Sequence, residues 1–288
     1  MFERILIPTD DSPGSDAAIE HALDLAERYE ATVHTISVVE AGHTPVDLDT
    51  DEREQLRASR RALALNAINA VVERAETRGI EVSQDVRQGV PYRTILEYGR
   101  EHEIDLIVMG TRGLTDAERA RLGSTTERVI TLGDIPVLSV RLAEGGHSDS
   151  SYDDIVIPTD GSDVAERAAE YGLELAAQYG ANVHVVYVVD AATYGYKDAP
   201  RSIIGLLKEG GQQATEAIAD TAQERDVSVR TSVLRGVPEE EILAYGDRVE
   251  ADLIAIGTRG RAAGSDRIIG STTARILRRA EVPVLTVS

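Results

Sequence analysis

The sequence predicts a doubly wound α/β domain written twice along one chain. Three observations carry that expectation. Short apolar, β-branched runs alternate with stretches of helical periodicity, the pattern of parallel strands joined by right-handed helical crossovers. The first such run, residues 4–8, is apolar almost throughout, as a strand buried on both faces of a parallel sheet must be. The pattern then returns: Ile5-Leu6-Ile7-Pro8-Thr9-Asp10 as Ile155-Val156-Ile157-Pro158-Thr159-Asp160.

After the strand at 4–8, Ala18, Ala22, Ala26 and Tyr29, flanked by Ile19, Leu23 and Leu25, recur at helical spacing. Residues 32–39 (TVHTISVV) are β-branched and strand-like. A longer helical stretch runs from about 52 to 77. Residues 81–87 give a third strand, and Pro91 suits the first turn of the helix behind it. Residues 106–109 give a fourth strand, 125–132 a helix and 136–140 a fifth strand. Val33-His34 and Val38-Val39 return as Val183-His184 and Val188-Val189, and Gly89-Val90-Pro91 as Gly236-Val237-Pro238. The offset is 150 early and 147 late, so one small length change separates the copies. The small, polar, Gly-rich stretch 143–150 reads as a linker between domains at 1–142 and 151–288.

Composition narrows the function classes. The chain has 288 residues, 42% apolar and 28% charged, without cysteine, which excludes disulfides, thiolate metal sites and cysteine nucleophiles. No stretch approaches the roughly eighteen apolar residues of a membrane-spanning helix, and no basic segment leads into an apolar run at the N-terminus. The expectation is a soluble cytoplasmic protein that does not engage membranes. Fifty acids against thirty bases give a net charge of −20, and only Lys197 and Lys208 are lysines. With no basic patch gathered anywhere, such a surface repels nucleic acid. The acids are scattered along the whole chain, which reads as halophilic adaptation of the surface rather than as an acidic docking face.

Ligands of doubly wound sheets bind beyond the carboxyl ends of the strands, where strand order reverses. Two loops have the composition for it. Pro8-Thr9-Asp10 follows the first strand, with Ser12 leading into the helix. Gly110-x-x-Gly113, nine residues, then Gly123-Ser124 follow the fourth. Glycines let the backbone approach a ligand closely, and helix-opening amides with a hydroxyl cap offer donors and a positive dipole end to phosphate oxygens. Asp10 can accept hydrogen bonds from ribose hydroxyls or adenine. The second copy repeats Gly257-x-x-Gly260, nine residues, then Gly270-Ser271, although LTDAERARL has become RAAGSDRII. Glycines kept in register while their neighbours change point to a shared backbone requirement, of ligand binding or of folding.

The composite Gly-x-x-Gly-x9-Gly-Ser with a strand-one Pro-Thr-Asp resembles the ATP-binding branch of the universal stress protein family, in its tandem two-domain form, over both copies from end to end. The resemblance implies a five-stranded parallel sheet of order 3-2-1-4-5 in each half. It implies that Pro8, Thr9 and Asp10 surround adenine and ribose, that Val38 contacts adenine through its backbone and that Met109 closes the base pocket. Gly110, Gly113, Gly123, Ser124 and Thr125 would then hold ribose and phosphates. The second site would use Pro158, Thr159, Asp160, Val188, Ile256, Gly257, Gly260, Gly270, Ser271 and Thr272. The ligand implied is ATP, or ADP or AMP, with Mg²⁺ carried by its phosphates. Relatives also pair through their last strands, so 137–140 and 284–287 would meet as a pseudo-dimer within one chain, with further homo-oligomers open. Arg112 and Arg259 stand where many relatives carry His. Each adds a fixed cation near the phosphates or pairs with a surface acid, and both readings stand. The spacers bring Asp116 and Glu118, offset by Arg119 and Arg121, near the first site, and Arg261 and Arg267 against the single acid Asp266 near the second, which implies tighter binding at the second.

Other chemistries lack their residues. No glycine run is followed by the lysine of a P-loop, and Gly-x-Gly-x-x-Gly, Gly-x-Ser-x-Gly and His-Glu-x-x-His are absent. His34 and His184 sit mid-strand, where a packed, hydrogen-bonded imidazole is expected, and the remaining histidines lack metal spacing. Tyr194-Gly195-Tyr196 reads as a loop. The expected function is therefore a nucleotide-responsive, partner-binding stress protein and not an enzyme, any hydrolysis being slow. A nucleotide-independent dimerisation scaffold and an adenylyl-transferring enzyme are the rivals. The even spread of acids predicts a thermal midpoint that climbs as KCl rises from about 0.1 M to about 1 M, where the Debye length shrinks from about 10 Å to about 3 Å. A midpoint that stays level or drops would contradict the halophilic reading.

Overall fold

The computed structural model describes residues 1–40, 49–111, 122–141, 150–190, 201–260 and 269–288. Two compact units divide the chain, Met1–Val129 with Ile135–Ser150 and Ser151–Ser288 with Ile130–Asp134. The first copy of the repeat runs β1 (Arg4–Pro8), α1 (Pro13–Tyr29), β2 (Thr32–Glu40), α2 (Thr50–Thr77), β3 (Val82–Gly89), α3 (Pro91–Glu101), β4 (Leu106–Gly110), α4 (Ser124–Leu132) and β5 (Val137–Val140). Its strands lie in the order β3-β2-β1-β4-β5, with every pair parallel. The second copy runs β6 (Asp154–Thr159), α5 (Asp163–Tyr179), β7 (Asn182–Asp190), α6 (Arg201–Glu224), β8 (Val229–Gly236), α7 (Pro238–Arg248), β9 (Leu253–Gly257), α8 (Ser271–Arg279) and β10 (Val284–Val287). Its order, β8-β7-β6-β9-β10, is the same, again parallel throughout. This is the expected 3-2-1-4-5 sheet, twice.

Local chemistry sets the element ends. Ser12 caps α1 by accepting the Ser15 N–H, and Ser162 caps α5 by accepting the Ala165 N–H. Helix α2 begins at Thr50, two residues ahead of the expected start. Asp49 and Glu52 form a capping box, the Asp49 N–H donating to Glu52 Oε2 at 2.9 Å and the Glu52 N–H to Asp49 Oδ1 at 2.8 Å. The length change between copies falls between the second and third strands, where α2 has 28 residues and α6 has 24.

Strands β4 and β9 are buried at every residue, whereas β3 and β8, at the sheet edges, are half exposed. Helix α1 lies on the sheet through Ala18, Ala22 and Ala26, and α5 through Ala168, Gly172 and Ala176, small residues at the same spacing. The approach leaves no room for a side chain at Gly172, where a Cβ would lie 2.7 Å from Ile157 Cδ1. Among the described residues no helix is long and apolar enough to cross a membrane.

The mid-strand histidines pack as expected. Nδ1 of His34 lies 3.0 Å from Tyr98 Oη, and Nδ1 of His184 lies 3.2 Å from Tyr245 Oη. The copies differ around them. Asp154 Oδ1 is 2.8 Å from Nε2 of His184, whereas the matching residue of the first copy is Arg4. The His102 ring stands 5.4 Å from that of His34. Burial first, then the charges of His102 and Arg4, push the His34 imidazole below the ordinary histidine range. Folding therefore disfavours the protonated His34, while the unfolded chain takes up a proton near pH 6.5. This contribution to stability is complete above that pH and is lost as pH falls through it. Resistance of the chain to chemical unfolding should fall from about pH 7.5 to about pH 5.5, and His34→Gln should flatten that slope. An unchanged slope in the variant would remove His34 as the cause.

Candidate functional site

Strand order reverses between β1 and β4, and again between β6 and β9, and it is in the crevice beyond the carboxyl ends at such a reversal that doubly wound sheets bind ligands. Pro8 and Pro158 fall within β1 and β6, where they and Thr9 and Thr159 are buried. The Thr9 N–H donates to Ile36 O at 2.9 Å and carries the β1–β2 ladder one residue past the strand end. Asp10 and Asp160 follow at the mouth, each folding a turn back upon itself. Oδ1 of Asp10 accepts the Ser12 N–H at 3.2 Å, and Oδ1 of Asp160 accepts the Ser162 N–H at 3.1 Å. The next residue must adopt positive φ in both copies. Gly161 does so at 72° without steric cost, while Asp11 takes 63°, in the left-handed region that aspartate tolerates better than most residues.

Gly110 and Gly257 end the fourth strands, under the first turns of α1 and α5. A Cβ on Gly110 would sit 2.6 Å from the backbone C and O of Gly14, and one on Gly257 would sit 3.2 Å from the C and O of Val164. The loops that follow are fastened alike. The Thr111 N–H donates to Val140 O at 2.8 Å and the Gly123 N–H to Thr111 O at 2.7 Å. In the second copy the Thr258 N–H donates to Val287 O at 2.7 Å and the Gly270 N–H to Thr258 O at 2.8 Å. Thr126 Oγ1 donates to Gly110 O, and Thr273 Oγ1 to Gly257 O, each at 2.8 Å and buried. Thr125 and Thr272, the threonines expected at the site, are half-buried, and these two buried hydroxyls beside them were not expected there. Their presence in both Gly-Ser-Thr-Thr motifs was the available signal.

The two loops meet in the second copy, where a Cβ on Gly260 would collide with Oδ2 of Asp160. Arg112, Gly113 and the nine-residue spacers, except its last residue in each copy, lie outside the described residues, as do the linker and Tyr194-Gly195-Tyr196. One expectation is corrected. Gly270, not a hydroxyl residue, caps α8, and no side chain bonds the cap, because Ser271 is already the first helical residue. The leading amides of α8 therefore rely on acceptors from outside the helix, and the helix dipole adds positive charge there. Ser124 and Ser271 are exposed and Gly123 is buried. Val38 and Val188 are half-buried in β2 and β7, Met109 and Ile256 buried in β4 and β9, and Arg259 half-buried. Among the described residues no group of three or more His, Asp or Glu could hold a metal ion. Each crevice thus offers a carboxylate acceptor on one loop and, on the other, backbone amides at a helix start.

Fold and site together define a tandem doubly wound α/β protein with one strand-end crevice per copy. The chain belongs to the universal stress protein family, whose sequence profile matches residues 1–141 and again 151–288. Universal stress protein MJ0531 of Methanocaldococcus jannaschii is 38% identical over 144 residues, covering 49% of this chain and 85% of that protein. A universal stress protein of Mycolicibacterium smegmatis is 25% identical over 298 residues, covering 98% of this chain and 96% of the relative, so the tandem form extends to it. The crystal structure of a universal stress protein from Archaeoglobus fulgidus matches with a TM-score of 0.75 at 22% identity, over 100% of this chain and 99% of that one, and shares the fold.

The glycine contacts make a graded prediction. Gly110→Ala forces backbone apart and should cost about 1–3 kcal/mol of stability, whereas Gly257→Ala, with more room, should cost less. Urea unfolding of both variants checks the order, and equal or reversed costs would contradict it.

Proposed function

We propose that each copy holds one adenine nucleotide in its crevice, and that occupancy changes which protein the chain engages. The donor set fits such a ligand. A nucleotide presents hydroxyls at one end and anionic oxygens at the other, and each crevice sets a carboxylate across from a glycine loop that opens a helix. In this reading Pro8, Thr9 and Asp10, with Val38 and Met109, take base and ribose. Gly110, Arg112, Gly113, Gly123, Ser124 and Thr125 take the phosphates. Pro158, Thr159, Asp160, Val188, Ile256, Gly257, Arg259, Gly260, Gly270, Ser271 and Thr272 serve the second site. Mg²⁺, held through the phosphates, offsets part of their charge. Turnover of the nucleotide is no part of the proposal.

The observation that carries this reading is the duplicated fastening of the glycine loop. Both copies tie its two ends with the same backbone bonds and back-bond the same threonine, although the spacers have diverged. A loop held at both ends keeps its entry and exit fixed beside the strand ends.

Acid extraction and chromatography of the freshly purified protein test the proposal. One adenine nucleotide per copy is expected in the wild-type chain, about half in Asp10→Ala or Asp160→Ala, and none in the double variant. No nucleotide, and no uptake of ATP with Mg²⁺ at high salt, would leave the glycines structural and favour the scaffold reading.

A further inference from the structure

Ser15, the third residue of α1, has no place among the candidate ligands, yet its hydroxyl is bound to Asp10. Ser15 Oγ lies 2.9 Å from Asp10 Oδ1. A carboxylate only accepts, so Ser15 gives its one proton to Asp10. Ser12 Oγ lies 3.1 Å from Ser15 Oγ and must therefore donate to it. The result is a directed chain, Ser12 to Ser15 to Asp10, with both hydroxyls buried away from water, at 1% and 6% exposure. Ser12 Oγ also accepts the Ser15 N–H at 3.3 Å, which ties the chain to the start of the helix. With the Ser12 N–H, two donors converge on Oδ1 of Asp10. They fix the rotation of the carboxylate before any ligand arrives, so less freedom is left to lose on binding.

The second copy keeps the frame and drops the hydroxyl. Ser162 still donates its N–H to Asp160 Oδ1 at 3.1 Å, and its Oγ still accepts the N–H of the third residue beyond it at 3.3 Å. That third residue is Ala165, where the first copy has Ser15. The pair of copies is thus a natural serine-to-alanine comparison within one chain.

We propose that Ser15 is a positioning residue for Asp10, and that its replacement by Ala165 in the second copy gives the two nucleotide sites different affinities. The proposal rests on the nucleotide reading above. Ser15 touches no ligand and acts only by holding Asp10 in one orientation. Its removal should weaken the first site, and a serine at position 165 should strengthen the second, because the capping frame around Ser162 is already in place. Each change is measured against its own parent site, so charge differences between the two spacers cancel.

The test is calorimetric titration of the nucleotide-stripped full-length chain with ATP and Mg²⁺. The first site is read in the Asp160→Ala background and the second in the Asp10→Ala background. Ser15→Ala should raise the dissociation constant of the first site about three- to tenfold, and Ala165→Ser should lower that of the second by a comparable factor. A serine that merely filled space would not produce the gain at position 165. Loss at the first site without gain at the second overturns the proposal, as does ATP binding that Ser15→Ala leaves unchanged. Retention of ATP at the first site in Asp10→Ala counts against it as well. If the wild-type chain binds no ATP, the nucleotide reading itself fails and the positioning role goes with it. Unchanged binding in Ser15→Ala removes the positioning role alone.

Discussion

The constraint on which the rest of the first copy's site depends is the contact between two glycine backbones. Gly110, at the end of β4, lies so near Gly14, at the start of α1, that a methyl group would stand 2.6 Å from its carbonyl. Small residues along α1 let the helix settle onto the sheet, and that descent brings its first turn down onto the end of the fourth strand. The turn carrying Asp10 and the loop that begins after Gly110 consequently leave the sheet side by side. Close packing alone accounts for these glycines, and it sets them beside the candidate site. In the second copy Gly257 meets Val164 with slightly more room, and the same arrangement results.

Most of the architecture was legible in the sequence. The buried strands announce themselves as unbroken apolar runs, and helix α1 as an alanine stripe at 18, 22 and 26, because one period is dictated by a sheet and the other by a helix. Duplication then confirmed each element against its copy. Helix α2 starts two residues ahead of its apolar periodicity because the Asp49–Glu52 capping box, not an apolar residue, sets its end. At α8 serine suits both the cap and the first turn, and only the backbone shows that Gly270 is the cap and Ser271 the first helical residue.

The candidate site was legible in its motif residues and not in their supports. Pro-Thr-Asp and the glycines stand out through spacing and repetition. Ser15, Thr126 and Thr273 do not, since each acts through one hydrogen bond to a residue distant in sequence or hidden by a turn. A serine in a helix start carries no mark that tells a structural cap from a carboxylate clamp. Where the copies disagree, as at Arg4 and Asp154, Asp11 and Gly161, or Ser15 and Ala165, the fold has tolerated the change and the local electrostatics or strain has not stayed the same. Such positions separate what the architecture requires from what each half has acquired.

The account stands or falls on whether nucleotide occupies the crevices beyond β1 and β4 and beyond β6 and β9. Hydrogen–deuterium exchange of the stripped full-length chain, with and without ATP and Mg²⁺, reads this residue by residue. The prediction is slowed exchange in two equivalent places, residues 9–12 with 123–126 and residues 159–162 with 270–273, and little change in the edge strands β3 and β8. Protection elsewhere with none at these four segments, or no protection at all, would contradict it.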